Sequence, residues 1–129
     1  MAYEGSCHCG AVTYTVEGDI PDTAMSCNCS HCRRKGFLLT FVPIDRFRLE
    51  SGSDKLASYK FNKHNIDHQF CSDCGCQSFS VGIAPDGAKM AAVNLRCVPD
   101  ADLDALQIQK VDGASFQSAS KLAFPGESP

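Results

Sequence analysis

Three cysteines crowd into one short segment of the chain. Cys27, Cys29 and Cys32 stand within six residues of one another, in the run Cys-Asn-Cys-Ser-His-Cys. Thiolate sulfur is a strong ligand of Zn2+, which prefers four ligands in a tetrahedron. Three thiolates from one turn leave one corner of that tetrahedron for water or substrate, as catalytic zinc sites do. We therefore predict an open, catalytic zinc site at these three residues.

Four further cysteines form two closely spaced pairs, each followed by a glycine. Cys7 and Cys9 make a C-x-C pair, and Cys71 and Cys74 make a C-x-x-C pair. Glycine permits the tight backbone in which amide N–H groups approach sulfur. If the first three cysteines fill one site alone, these two pairs are free to complete a closed, four-thiolate zinc site. Structural zinc contributes on the order of 10 kcal/mol of apparent folding free energy in small peptides. Such a site would tie the first strand to the middle of the sheet.

Other assignments of the ligands are open on spacing alone. The three-cysteine cluster could take a fourth ligand from His31, Cys76 or Cys97, which would close it and remove the argument for catalysis. Cys76 and Cys97 are interpreted as small buried residues or spare thiols, because free cysteine often packs as a small hydrophobe.

The remaining histidines are interpreted as surface or packing residues. His8 stands between Cys7 and Cys9 and points away from them if the segment is extended. His64 and His68 are four residues apart, but helical periodicity is missing around them. We predict that none of the three is a metal ligand.

A basic run directly follows the central cysteines. Arg33, Arg34 and Lys35 could bind a substrate carboxylate and offset the negative charge of a zinc thiolate site. An equally simple interpretation is a solvated run of charge.

Composition limits the class of protein. A chain of 129 residues with 43% hydrophobic content suits one domain with a modest core. The opening residues lack a basic segment and an apolar run, so we expect no secretory signal and a cytoplasmic location. In that reducing compartment the nine cysteines favour metal over disulfides. The net charge of −3 argues against nucleic-acid or anionic-membrane binding.

Short strands should position these residues. Alternating Val12, Tyr14 and Val16 predict one strand, and the apolar run 37–42 between Gly36 and Pro43 predicts another. The central cysteines would then lie in a loop between strands. Further strands are predicted at 23–27, 47–50, 56–61, 77–81, 90–95 and 106–111, with a turn of helix at 100–104. We predict one zinc-binding domain over residues 1–113 and a weakly structured tail over 114–129.

Four blocks of this sequence resemble a known family. They are Gly5–Val12, Cys27–Arg33, Phe70–Gly75 and Val93–Cys97, in the family's order. The sequence is similar to the glutathione-dependent formaldehyde-activating enzymes, a family that also includes centromere protein V. This chain is shorter than the founding type of enzyme, and it carries Asn28 where many relatives have histidine.

The resemblance implies a mainly β, zinc-stabilised fold of packed antiparallel sheets, of the β-tent type, with little helix. It implies two zinc ions: a structural one on the two cysteine pairs and a catalytic one on Cys27, Cys29 and Cys32. It also implies a carbon–sulfur lyase that adds a small aldehyde, formaldehyde, to a small thiol such as glutathione. The competing hypothesis is a non-enzymatic zinc module that binds a protein partner or buffers metal or thiol stress.

Overall fold

The computed structural model describes residues 1–60, 66–84 and 86–113. Over these residues the chain forms ten strands and one short helix. The elements are β1 (Ala2–Ser6), β2 (Thr13–Glu17), β3 (Thr23–Cys27), α1 (Ser30–Lys35), β4 (Leu39–Pro43), β5 (Phe47–Ser51), β6 (Leu56–Tyr59), β7 (Ile66–Cys71), β8 (Phe79–Ile83), β9 (Lys89–Asn94) and β10 (Gln107–Val111). Short 3-10 turns cover Ile44–Arg46, Ser53–Lys55, Leu95–Cys97 and Leu103–Ala105.

The strands form two sheets. The smaller sheet has the order β1-β2-β5, and the larger one has the order β10-β3-β4-β9-β8-β7-β6. Neighbouring strands are antiparallel except for β10 and β3, which are parallel. The prediction of a mainly β fold of packed antiparallel sheets is therefore confirmed, with one parallel pair added at the edge of the larger sheet.

The core lies between the two sheets. Tyr14 of β2 is 1% exposed, and its ring packs against Phe47 of β5 and Phe79 of β8, at centroid distances of 5.0 and 5.8 Å. Its hydroxyl donates to the carbonyl of Ser78 at 3.1 Å, so the buried polar tip is satisfied across the layer. Val16, Val93 and Leu95 are fully buried around this cluster.

The structure corrects several predictions about local elements. β1 was not predicted, because within it only Tyr3 is a large buried side chain and Gly5 leaves room for the ring of Tyr14. The predicted strand 37–42 begins only at Leu39, and 77–81 begins only at Phe79. Cys7 and Cys9 lie in the connection between β1 and β2 rather than on a strand. His8 is exposed, as expected.

His68 contradicts its interpretation as a surface residue. It lies in β7 and is 4% exposed, because the strand turns that side chain inward, while His64 lies outside the described residues. The tail 114–129 also lies outside them, so the domain division stays a prediction. None of the helices that the structure describes is long and apolar enough to cross a bilayer.

Gly52 lets the turn after β5 pack closely against the backbone just before β2. Its φ is +91°, and a Cβ there would overlap the carbonyl oxygen of Ala11 and lie 2.7 Å from the Cα of Val12. We expect Gly52→Ala to lower the free energy of unfolding by about 2–5 kcal/mol, from left-handed strain plus the backbone overlap. Urea unfolding measures this loss.

Gly87→Ala is the matched control for that substitution. Gly87 has a φ of +90°, but a Cβ there would meet nothing within 4 Å. The Gly87→Ala variant should lose about 1–2 kcal/mol of unfolding free energy, from left-handed backbone strain alone. Equal losses for the two variants would show that the contact with the start of β2 contributes nothing.

Candidate metal centres

The two cysteine pairs meet in one cluster. Cys7 and Cys9 come from the β1–β2 connection, whereas Cys71 ends β7 and Cys74 lies in the turn after it. Their four sulfurs all lie within 4.8 Å of one another. Cys7 and Cys71 are buried, Cys74 is half-buried and Cys9 is exposed. The cluster thus joins the smaller sheet to the larger one across 62 residues of sequence.

Two tight turns with glycine in the left-handed region shape this cluster. Gly10 and Gly75 have φ of +83° and +78°, and the Gly75 N–H donates to the carbonyl of Cys71 at 2.7 Å. The turns aim amides at sulfur, since the Val12 N–H donates to the Cys7 sulfur at 3.3 Å. The glycines therefore have the role expected from the sequence.

The distances between the sulfurs suit an ion with tetrahedral coordination. A zinc–sulfur distance of about 2.3 Å in a tetrahedron puts sulfurs about 3.8 Å apart. The distance is 3.6 Å between the sulfurs of Cys7 and Cys9, and 3.7 Å between those of Cys9 and Cys71. Backbone N–H groups at Cys9 and Cys76 lower the pKa of the Cys74 thiol to about 6, which favours the thiolate a metal needs. The residues fit a closed four-thiolate site.

The second cluster spans the junction of β3 and α1. Cys27 ends the strand, Cys29 caps the helix and Cys32 lies in its first turn. Their sulfurs also lie within 4.8 Å of one another, and all three residues are half-buried. The predicted loop is thus partly helical. The helix begins because the Cys29 sulfur accepts from the Cys32 N–H at 3.3 Å, and it ends at Gly36, whose φ is +69°.

Hydrogen bonds favour one thiolate in this second cluster above the others. The thiol of Cys32 and the backbone N–H groups of Cys32 and His31 donate to the Cys29 sulfur, which lowers the pKa of Cys29 to about 5. The hydrogen bond to Cys29 raises the pKa of Cys32, and burial raises the pKa of Cys27. Cys29 is therefore the most readily ionised thiol of the three and would be the anionic anchor of a bound cation, which would also deprotonate its two neighbours.

The end of β10 closes this cluster from one side. The Asn28 N–H donates to the carbonyl of Val111 at 3.1 Å, and the Asn28 side chain donates to the Asp112 carboxylate at 3.0 Å. Gly113 then lies against the sulfur of Cys27. Sequence reasoning missed this support, since only the parallel pairing of β10 with β3 brings these distant residues together.

Gly113 offers a direct test of that support. A Cβ at Gly113 would overlap the sulfur of Cys27 and lie 3.4 Å from the Cβ of Cys29. We expect Gly113→Ala to displace the sulfur and to lower the number of zinc ions bound per chain relative to the wild type, measured on reduced, dialysed protein. Gly18→Ala is the control, because a Cβ there meets nothing within 4 Å. A zinc content in Gly113→Ala equal to that of the wild type would contradict this role of Gly113.

The proposed alternatives for a fourth ligand are not grouped with this cluster. Among the residues that the structure describes, the sulfurs of Cys27, Cys29 and Cys32 form the group without His31, Cys76 or Cys97. His31 instead packs its ring 4.0 Å from that of His68. Over the described residues, the protein therefore offers three candidate ligands here and four at the other cluster.

A cavity lies along α1, the helix that Cys29 caps and that carries Cys32. It has a volume of about 290 Å3 and is lined by His31, Lys35, Ser58, Tyr59, Phe70 and Gln77. Burial lowers the pKa of both His31 and His68 to about 4, so the two adjacent rings are neutral at pH 7. The cavity therefore combines aromatic walls with neutral polar groups and one cation.

The basic run divides into different roles. Lys35 lines the cavity, with its Nζ 5.7 Å from the centroid of the Phe70 ring. Arg34 folds back on its own helix, donating from Nη1 to the carbonyl of Ser30 at 2.6 Å. Arg33 is exposed. Of the three predicted substrate-binding residues, only Lys35 is among those that line this cavity.

The two remaining cysteines meet outside both clusters. The sulfurs of Cys76 and Cys97 are 3.5 Å apart, and both residues are half-buried. Their interpretation as small buried residues or spare thiols stays a prediction, and their proximity was not predicted.

The fold and the two clusters define a small, mainly β protein with two all-cysteine sites that could hold metal ions. The chain belongs to the glutathione-dependent formaldehyde-activating enzyme family, whose model matches residues 2–112. The resemblance drawn from the sequence is thereby confirmed. A crystal structure of a Rhodobacter sphaeroides protein is similar, with a TM-score of 0.72 at 28% sequence identity, covering 84% of this chain and 99% of that one.

Proposed function

We propose that this protein is a zinc-dependent carbon–sulfur lyase that reversibly adds a small thiol of the glutathione type to a small aldehyde such as formaldehyde. It would act in the reducing cytoplasm, where the substrate thiol and the protein's own cysteines stay free. The observation that carries the proposal is the difference between the clusters. Four cysteines meet at one and three at the other, among the residues that the structure describes.

Each cluster would have its own task. Cys7, Cys9, Cys71 and Cys74 would hold a structural zinc ion, and Cys27, Cys29 and Cys32 would hold a catalytic one. When bound at the second cluster, zinc would supply a Lewis-acidic position at which a substrate thiol loses its proton near neutral pH. Cys27 and Cys29 are only half-buried, which would leave a substrate thiol access to that position.

The surrounding residues would bind and orient the substrate. In the adduct-forming step the substrate sulfur forms a bond to the aldehyde carbon, the π bond of the carbonyl breaks, and the carbonyl oxygen takes up the proton that the substrate thiol released. Lys35 would bind a carboxylate of the thiol substrate, while the aromatic walls of the cavity exclude water from its apolar part. His31 and His68 would stay neutral and so would not repel the Lys35 ammonium.

The activity itself is the first test. Nuclear magnetic resonance exchange spectroscopy measures interconversion of formaldehyde plus glutathione with S-hydroxymethylglutathione, which also proceeds without enzyme. We expect the zinc-loaded protein to accelerate the exchange well beyond the same concentration of free zinc. Equal rates with protein and with free zinc would favour the non-enzymatic zinc module instead.

Lys35 tests how the substrate is held. We expect Lys35→Met to raise KM for glutathione roughly 10-fold, the cost of one charge-assisted contact, with kcat little changed. Arg34→Met is the matched control, because Arg34 bonds to its own helix, and its KM should stay within about twofold of the wild type. Equal KM changes in the two variants would show that the effect comes from the loss of any positive charge on α1, and not from a contact between Lys35 and the substrate.

A further inference from the structure

Cys76 and Cys97 form a dithiol that the proposed lyase chemistry does not use. Their sulfurs are 3.5 Å apart although 21 residues separate them in sequence. Neither belongs to either group of cysteines that could hold a metal. Two thiols in contact, outside both groups of candidate metal ligands, are arranged for chemistry with each other.

The surroundings of the pair contact the Cys97 side chain and the Cys76 backbone. Asn94 donates from Nδ2 to the carbonyl of Gln77 at 3.1 Å and lies 3.7 Å from the Cys97 sulfur. The carbonyl of Cys76 accepts from the Cys71 N–H at 3.0 Å. Formation of a disulfide needs the sulfurs to close from 3.5 Å to about 2.05 Å. Both residues are half-buried rather than fully enclosed.

We propose that Cys76 and Cys97 are a thiol–disulfide exchange site that takes a low-molecular-mass disulfide as its substrate. One cysteine attacks a sulfur of that disulfide, breaking its S–S bond and releasing the first small thiol. The second cysteine then attacks the mixed disulfide, forming the Cys76–Cys97 bond and releasing the second small thiol. The protein loses two electrons and two protons, and the small disulfide gains them.

The position of the pair allows this bond to form while both metal clusters stay intact. Cys76 lies just beyond the turn that carries Cys74, whereas Cys97 ends the Leu95–Cys97 turn. That turn is fastened to the end of α1, because Arg96 donates from Nε to the carbonyl of Gly36 at 2.8 Å. A Cys76–Cys97 bond would therefore link the segment next to the Cys74 turn with the Leu95–Cys97 turn that contacts the end of α1. It would use no sulfur from either cluster.

The test treats the zinc-loaded, full-length protein with glutathione disulfide and maps its peptides by mass spectrometry. We expect the loss of two hydrogens, a cross-link between the peptides carrying Cys76 and Cys97, an unchanged zinc content and full reversal by dithiothreitol. Cys76→Ser and Cys97→Ser should each stop at a mixed disulfide on the remaining cysteine. A lasting mixed disulfide on the wild-type protein, a cross-link through another cysteine, loss of zinc or no reaction would each overturn the proposal.

Discussion

Cys71→Ser should abolish the folded state. Cys71 is fully buried at the end of β7, with its sulfur 3.7 Å from that of Cys9. A closed thiolate site with zinc contributes on the order of 10 kcal/mol, which is comparable with the whole stability of a small domain, about 5–15 kcal/mol. The substitution removes one ligand and places a hydroxyl among the remaining sulfurs. We therefore expect the variant to have no cooperative thermal transition.

Circular dichroism melting with zinc analysis on the same sample measures this outcome. Cys76→Ser is the control, because it changes a half-buried cysteine five residues away that lies outside the cluster. It should keep two zinc ions and melt cooperatively. A Cys71→Ser variant that melts cooperatively near the wild-type temperature would show that this cluster does not carry the fold.

Cys29→Ser should separate catalysis from folding. Cys29 has the lowered pKa in its cluster and accepts the N–H of Cys32, so its loss removes both the anionic anchor and the helix cap. We expect one zinc ion to be lost and the rate of adduct formation to fall roughly 10³-fold, corresponding to several kcal/mol of lost stabilisation. The sheets should survive, since the helix cap contributes only about 1 kcal/mol.

Cys97→Ser is the control for that loss of activity. It removes a thiol that belongs to neither cluster, so its exchange rate and zinc content should match those of the wild type. The NMR exchange assay and thermal melting, run on both variants, give the comparison. Full activity in Cys29→Ser would remove the catalytic role from this cluster.

Much of the fold could be predicted because alternating apolar residues and turn-forming glycines are local signals in the sequence. Tyr14 and Val16 bury one face of β2, with Val12 buried just before the strand, and positive φ at Gly10 and Gly75 shapes the turns that carry the cysteines. The grouping of Cys7 with Cys71 across the sheets followed from counting ligands, since an ion of fixed coordination number constrains distant residues.

What could not be predicted depends on tertiary pairing. The approach of Gly113 to Cys27 needs β10 to lie parallel to β3, and no local pattern specifies a parallel partner. Helix α1 was missed because its cap is a cysteine sulfur rather than a usual capping side chain. The burial of His68 depends on which face of β7 meets α1. The cavity and the Cys76–Cys97 contact arise in the same way.

The central claim is that Cys27, Cys29 and Cys32 hold a metal ion with one position left for a substrate thiol. Cadmium NMR on fully cadmium-substituted protein tests it most directly, because the chemical shift reports the number of bound sulfurs at each site separately. The account predicts two resonances, one typical of four sulfurs and one of fewer. Adding glutathione should move only the second towards the four-sulfur range. Two four-sulfur resonances before glutathione is added, or a second resonance that glutathione leaves unmoved, would contradict it.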